Sequence, residues 1–288
     1  EKAENVAVGD GYLTSSNLWR VFPKRKEDSS PDLIRLSEYF QNAAIIKGTI
    51  AIKSIAKLPK IKGSALIIDK PMASTRYFQQ IAEISKYKGT IICCDRSLFS
   101  IINYHIPNYV CNLDSSPLCF SFFDRPDVEK IMSKVTAVFA TTTNPLTIRF
   151  WHGKRVFFTG NIDGAHAIAQ ATDTPIVFTG GQVACFAWVL AYFLGANPIG
   201  IYGIMHGYDK LAETEYPKYP KLHKKIKGPY GLVWQDPVYG EYNEQFLVAI
   251  KQARKEKKVL TINTNRAGLL YSEDVIDKTL KEFVETYD

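Results

Sequence analysis

No stretch of the chain stays apolar over the ~18 residues that a membrane-crossing helix needs. The nearest approach, Val183–Leu194, is too short and stops at Gly195. Glu1 is not followed by the basic and then apolar segments of a secretory leader, and a chain opening on Glu reads as a start inside a longer one. Cysteine is scarce and odd in number: Cys93, Cys94, Cys111, Cys119 and Cys185, with no pair at zinc-ligand spacing. Most sit among apolar residues, which predicts buried, reduced thiols and a cytoplasmic location. The chain also lacks a G-x-x-x-x-G-K-[ST] phosphate loop, a G-x-G-x-x-G dinucleotide fingerprint and a G-x-S-x-G nucleophile elbow. It has no H-x-x-x-H or C-x-x-C metal motif, no internal repeat and no low-complexity tract.

What is present is apolar sequence and positive charge. A hydrophobic share of 46% supports a sizeable core. The 288 residues fit one large α/β domain, or a domain of about 200 residues with a smaller N-terminal piece. The net charge of +7 is partly local. Lys218, Lys221, Lys224, Lys225 and Lys227 form one cluster, and Arg254, Lys255, Lys257 and Lys258 a second. Such runs are most often solvated faces; a phosphate-rich ligand is the functional alternative. No nucleic-acid motif accompanies the lysines, which counts against nucleic acid as a partner.

The chain is organised around Thr174–Tyr208. An apolar run, Ile176–Phe178, leads into the turn Thr179–Gly181, then into Gln182–Leu194, which has helical length. Gly195 ends it and a second apolar run follows, Ile199–Ile204. That order is one βαβ unit. The helix is apolar nearly all round, which predicts burial in the middle of the domain. Gly180 and Gly181 lack a Cβ, and the helix after them begins with unpaired N–H groups, an arrangement that suits a phosphate. Many strand–helix turns use glycine and bind nothing, so both readings stand at this point.

Residues 1–63 read as a separate N-terminal segment and linker, with a short helix over Ile34–Phe40. From Ser64 to Asp288 the pattern becomes regular. Strands are predicted at Ala65–Ile68, Thr90–Cys94, Tyr109–Leu113, Thr136–Ala140, Val156–Thr159 and Val259–Ile262. Helices are predicted at Ser74–Lys86, Ser97–Tyr104, Pro126–Ser133, Glu241–Lys255 and Ser272–Tyr287. Asp209–Gly231 reads as a long loop, of the kind that serves as a lid. Strands alternating with helices define an α/β, Rossmann-like fold: a mainly parallel sheet with helices on both faces.

In such a sheet the ligand lies beyond the carboxyl ends of the strands. The residues there are Asp69-Lys70, Asp95-Arg96-Ser97, Asp114-Ser115-Ser116, Thr141–Asn144, Thr179-Gly180-Gly181 and Met205-His206-Gly207-Tyr208. Asp95 and Asp114 are candidates for holding Mg²⁺, which takes one or two carboxylates plus waters and substrate phosphates; capping the following helices is their simpler role. His206 is a candidate acid or base, or a structural donor. Lys70, Ser97, Ser115, Asn144, Thr179, Gly180, Gly181, Gln182, Gly203 and Tyr208 are the candidate nucleotide contacts.

These residues carry a resemblance. ALII with its turn, CDRSL, NLDSS, FTGGQVACFAWVLAYFLGANPI, GIMHGY and TINTNRAGLLY occur in the order and spacing of the archaeal 6-hydroxymethylpterin diphosphokinase (MptE-like) family. Its domain also occurs in bacterial motility accessory factors, which act in flagellin glycosylation and are similar to sialyltransferases. The resemblance spans roughly Leu58–Asp288. It implies Mg²⁺-dependent transfer of a diphosphate from ATP to a pterin hydroxymethyl group. Asp95 falls on the Asp of the family's A-D-S motif and Asp114 on the Asp after its third strand. Gly180 and Gly181 match its Gly-Gly turn, and Gly203, His206, Gly207 and Tyr208 a G-M-D-x-x-Y-like motif. Two departures stand out. The family's glycine-rich turn after the first strand is Asp69–Ser74 here, without glycine, and the Asp of G-M-D is Met205. Three readings follow: a pterin pyrophosphokinase-like enzyme, a sugar-nucleotide glycosyltransferase of the motility accessory factor type, and a binding protein of the same fold without catalysis. The expected partners are a nucleotide and a small-molecule acceptor, and the sequence is compatible with a homodimer.

Overall fold

The structure, a computed structural model, describes residues 42–46, 53–69, 80–161, 165–210, 221, 223–235 and 237–288. Lys70, the expected helix Ile34–Phe40 and the first half of Ser74–Lys86 lie outside those residues. In chain order the strands are β1 (Lys53–Ser54), β2 (Ala65–Ile68), β3 (Thr90–Cys94), β4 (Tyr109–Asn112), β5 (Thr136–Ala140), β6 (Arg155–Gly160), β7 (Ile176–Val177), β8 (Ile199–Tyr202), β9 (Lys224–Gly228), β10 (Gly231–Gln235), β11 (Thr261–Asn263) and β12 (Val275–Asp277). The helices are α1 (Leu98–Ile101), α2 (Pro117–Phe120), α3 (Pro126–Glu129), α4 (Pro145–Phe150), α5 (Ala165–Thr172), α6 (Val183–Leu194), α7 (Pro237–Lys257) and α8 (Leu280–Tyr287). Strands alternate with helices and pair in parallel, so the fold is α/β and Rossmann-like. The chain divides into two compact units, Glu1–Pro59 with Ile92–Val189, and Lys60–Ile91 with Leu190–Asp288.

In unit 1 the strands run in the order β1-β6-β5-β4-β3, all parallel, with β7 also on β6. Their residues are apolar without alternation because both faces are covered: Val110, Cys111, Ala137, Val138, Phe139, Val156 and Phe158 are all buried. Phe123, Phe139 and Trp151 meet edge to face, with ring centroids 6.0 to 6.2 Å apart. These are favourable arrangements for aromatic quadrupoles. The Phe186 ring of α6 stacks on Phe158 of β6 at 3.9 Å and 11°. α6 is buried from Ala184 to Trp188, as its apolar sequence predicts, and its last turn, which falls in unit 2, buries Leu190, Ala191 and Leu194 but exposes Phe193.

In unit 2 the parallel order is β2-β8-β11-β12. α8 packs its Phe283 ring against Gly200 of β8, where an added Cβ would lie 2.6 Å from the ring. Tyr87 meets the same ring at 5.7 Å, and its hydroxyl lies 2.7 Å from Ser64 Oγ. Burial then pushes the Tyr87 phenol up to about 12.

Two expectations need correction here. The closing helix begins at Leu280, not Ser272. Val275 and Ile276 are β-branched and pair with β11, and Thr279 with Glu282 forms the capping box that starts the helix. The expected loop Asp209–Gly231 contains β9, which pairs antiparallel with β10 as a hairpin. Its Lys-Lys-Ile-Lys sequence obscures a strand whose side chains are mostly solvated. Among the described residues no helix is long and apolar enough to cross a membrane.

The Phe158–Phe186 stack is expected to dominate the seating of α6. Phe186→Ala should cost about 3–5 kcal/mol, read as a drop in the denaturation midpoint at an unchanged m-value.

Candidate functional site

The carboxyl ends of β3, β4 and β5 place Asp95, Asp114 and Thr141–Asn144 side by side in unit 1. The loops after β4 and β5 are stitched together. Thr142 Oγ1 donates to the Leu113 carbonyl at 3.0 Å, and Thr143 Oγ1 to the Asn112 carbonyl at 2.9 Å. The Asn144 backbone N–H donates to the Asp114 carbonyl at 3.0 Å, and Asn144 Nδ2 to the Ser115 carbonyl at 2.8 Å. Asn42, distant in sequence, donates from Nδ2 to the Thr141 and Thr143 carbonyls at 2.7 and 2.6 Å. These bonds leave the two loops little freedom, so the groups they carry are pre-aimed.

Neither carboxylate is the N-cap of a helix. Asp95 Oδ1 accepts from the Arg96 N–H and Oδ2 from Asn112 Nδ2 at 2.8 Å. Asp114 Oδ1 accepts from the Ser116 N–H at 2.8 Å, and it is Ser116 that caps α2. Asp114 Oδ2 accepts from the Cys119 thiol at 3.1 Å. Burial, then the charges of Asp114 and Asp95, hold that thiol far above its ordinary range. Cys119 is therefore a neutral donor, and both carboxylates are close enough to act on it. All five cysteines are free and buried, as their apolar settings predict.

Several predicted contacts are committed locally. Ser97 Oγ donates to the Cys94 carbonyl at 2.7 Å. Asn144 Oδ1 caps α4 by accepting from the Leu146 N–H at 2.9 Å. Ser115 is buried and offers its carbonyl to Asn144. Gln182 is half-buried and its N–H donates to the Thr179 carbonyl at 3.4 Å. Thr179 Oγ1 and Asn112 Oδ1 are buried without a hydrogen-bond partner among the described residues. Asn112 was overlooked as a site residue, although it opens the Asn112–Ser116 motif.

The Gly180–Gly181 turn has a structural cause of its own. Both glycines have positive φ, 60° and 83°. A Cβ on Gly180 would lie 2.0 Å from Cys185 Sγ. The glycines are thus required by the backbone and by the closeness of α6, whatever the turn binds.

In unit 2 the carboxyl ends of β2 and β8 lie together, with the Asp69 N–H donating to the Tyr202 carbonyl at 2.8 Å. Gly203, at φ 91°, gives its N–H to Asn265 Oδ1 at 2.6 Å. Tyr208 bridges antiparallel to Trp234, with backbone bonds of 2.8 and 2.7 Å, and its ring meets Tyr239 edge-on. His206 is 2% exposed and adopts φ 50°. Its Nδ1 lies 2.9 Å from Asn243 Oδ1; that oxygen accepts, so Nδ1 carries the proton. Phe246 and Tyr239 cover the ring at 5.9 and 6.3 Å. Burial lowers its pKa to about 4, against a smaller raising effect of the Asn243 bond. His206 is neutral at pH 7, and its Nδ1–H donates to Asn243 of α7.

In a parallel α/β sheet ligands bind beyond the carboxyl ends of the strands, where these carboxylates and the glycine turn stand. Residues 78–210 match the family described as 6-hydroxymethylpterin diphosphokinase MptE-like. That stretch holds Asp95, Asp114, Asn144, Gly180, Gly181 and His206. The MAf glycosyltransferase from Magnetospirillum magneticum AMB-1 has a similar structure over 85% of this chain, at 13% identity and a TM-score of 0.63. This chain spans 38% of that protein's length. At such identity the likeness shows the fold. Both names are those of group transferases. No curated protein matches the chain.

The His206 environment gives a signed pH dependence. Its folded pKa of about 4 lies below the ordinary 6.5, so the unfolded chain binds the extra proton between them. The stability this provides is complete above about pH 6.5 and lost as pH falls toward 4, amounting to about 3 kcal/mol. His206→Asn tolerates the left-handed backbone. It should flatten the melting-temperature profile over that window relative to the parent chain.

Proposed function

We propose that the protein is a nucleotide-dependent transferase that moves a diphosphate from ATP to the hydroxymethyl group of a pterin. The observation that carries this reading is the stitched ledge in unit 1, where two carboxylates stand on adjacent strand ends held by bonds to backbone. The acceptor oxygen would attack the β-phosphorus in line, the bond to the α-phosphate oxygen would break, and AMP would leave. Such a reaction needs positioning and charge compensation more than covalent help from the protein.

Mg²⁺ is the cofactor this family implies; the described residues gather no group of three or more acidic, His or Cys side chains, so the ion would rest on two carboxylates with waters and substrate phosphates. Asp95 and Asp114 supply carboxylate oxygens within electrostatic reach of one thiol, Cys119. Asn112 Oδ1, which has no hydrogen-bond partner among the described residues, belongs to the side chain whose amide holds Asp95. These are hard oxygen donors, which Mg²⁺ favours, while the protonated thiol is not a competing ligand. Asp95 and Asp114 would hold the ion, whose chemistry is to offset charge on the phosphates. The Gly180–Gly181 turn would offer its N–H groups to phosphate oxygens. Asn112 keeps Asp95 oriented.

A second reading, transfer of a sugar from a sugar nucleotide, has its own support. The likeness to the MAf glycosyltransferase extends over 85% of the chain, beyond residues 78–210. The same ledge would then face the nucleotide phosphate.

Incubation with ATP, 6-hydroxymethyl-dihydropterin and Mg²⁺ should release AMP, and chelation should stop it. Asp95→Asn and Asp114→Asn should each lower the rate by about 100-fold or more while leaving the melting temperature nearly in place. Cleavage of CMP-sugars in a parallel assay, without AMP formation, would select the second reading. Inactivity with every donor would sink both.

A further inference from the structure

We propose that unit 2 carries a second small-molecule site, for a phosphate monoester of a hydroxyl-rich compound such as a sugar phosphate. It is a cleft of about 450 Å³ lined by Lys251, Arg254, Lys255, Lys258, Glu273 and Asp274. The volume is in the range of small-ligand sites. Lys258 comes just before β11, and Glu273 with Asp274 just before β12, so the cleft sits at the amino ends of these strands. His206, Gly203 and Asn265 stand at the opposite, carboxyl ends of β8 and β11. The cleft therefore shares no residue with the site proposed for group transfer, and the inference does not rest on that reading.

Helix C-termini attract cations through the dipole, and that effect accounts for some of this charge. It does not account for Lys258. α7 ends in a left-handed cap: Lys258 has φ 58°, and its N–H donates to the Arg254 carbonyl at 3.2 Å. Glycine is the usual residue there, because a side chain at positive φ is strained. A lysine at this position keeps the strain and gains a charge facing the cleft.

The charges then define the ligand. Lys251 approaches Glu273 at 4.0 Å. Arg254, Lys255 and Lys258 have no ion pair among the described residues. Four cations against two carboxylates leave two positive charges in surplus. A phosphate monoester carries about −1.5 to −2 at pH 7, which matches that surplus. Half-buried Arg254 offers the planar fork that binds phosphate oxygens in pairs. Glu273 and Asp274 would repel a bare polyanion, but as acceptor-only groups they suit the hydroxyls of a sugar.

Calorimetric titration of the 288-residue chain with glucose 6-phosphate, inorganic phosphate and glucose tests this. The sugar phosphate should bind at least about tenfold more tightly than phosphate, and glucose should give no heat. Arg254→Ala should weaken the sugar phosphate by about tenfold. Lys258→Gly should weaken it too while the melting temperature of the unliganded protein holds or rises, since glycine relaxes the cap. Asp95→Asn should leave the affinity unchanged, which separates this site from the nucleotide site. No heat with the sugar phosphate, an affinity indifferent to Arg254 and Lys258, or a loss with Asp95→Asn would overturn the proposal. So would binding to phosphatidic acid vesicles without binding of the free ligand.

Discussion

Unit 1 depends on how closely α6 approaches the turn that precedes it. Cys185 occupies the space where a side chain at position 180 would begin, and Phe186 lies flat on Phe158 one residue later. The helix can sit so near β6 only because the turn has no Cβ to displace it. That closeness explains the glycines before any ligand is considered, and it fixes the direction of the first N–H groups of the helix. Packing and anion binding are thus not competing accounts of this turn, because the first supplies the rigidity that the second would use.

The ledge at the ends of β3, β4 and β5 follows a different rule. Among the donors to Asp95 and Asp114 are an asparagine amide, backbone N–H groups and a thiol. Such donors orient each carboxylate, whose negative potential extends to its neighbours. Its reach is visible in the Cys119 thiol, which both carboxylates help to keep protonated.

Much of the fold was legible because buried parallel strands leave an unambiguous mark. Ala65–Ile68, Thr90–Cys94 and Thr136–Ala140 were readable to the residue, and α6 was marked by the absence of any polar face. Legibility failed where side chains face water. The lysines of β9 resemble a loop, and β12 was hidden inside what reads as one helix until the Thr279–Glu282 box is recognised as its true start. At the strand ends, residue types pointed to loops but not to their bonding. His206 carries the same one-letter code whether exposed or sealed beneath Phe246 and Tyr239, and only packing makes it a fixed neutral donor. Asn112 escaped notice for the same reason, since its importance lies in Asp95, seventeen residues away.

The bonds that join the loops after β4 and β5 all end on backbone carbonyls: those of Leu113, Asn112, Asp114 and Ser115, with Thr141 and Thr143 accepting from Asn42. Every residue has such a carbonyl, so the frame asks nothing of the side chains on the accepting positions. Selection can therefore exchange the group at position 114 or 115 while the donors Thr142, Thr143, Asn144 and Asn42 keep the loops in place. A scaffold divided in this way separates heritable shape from heritable chemistry, and one lineage can change what it transfers without having to learn to fold again.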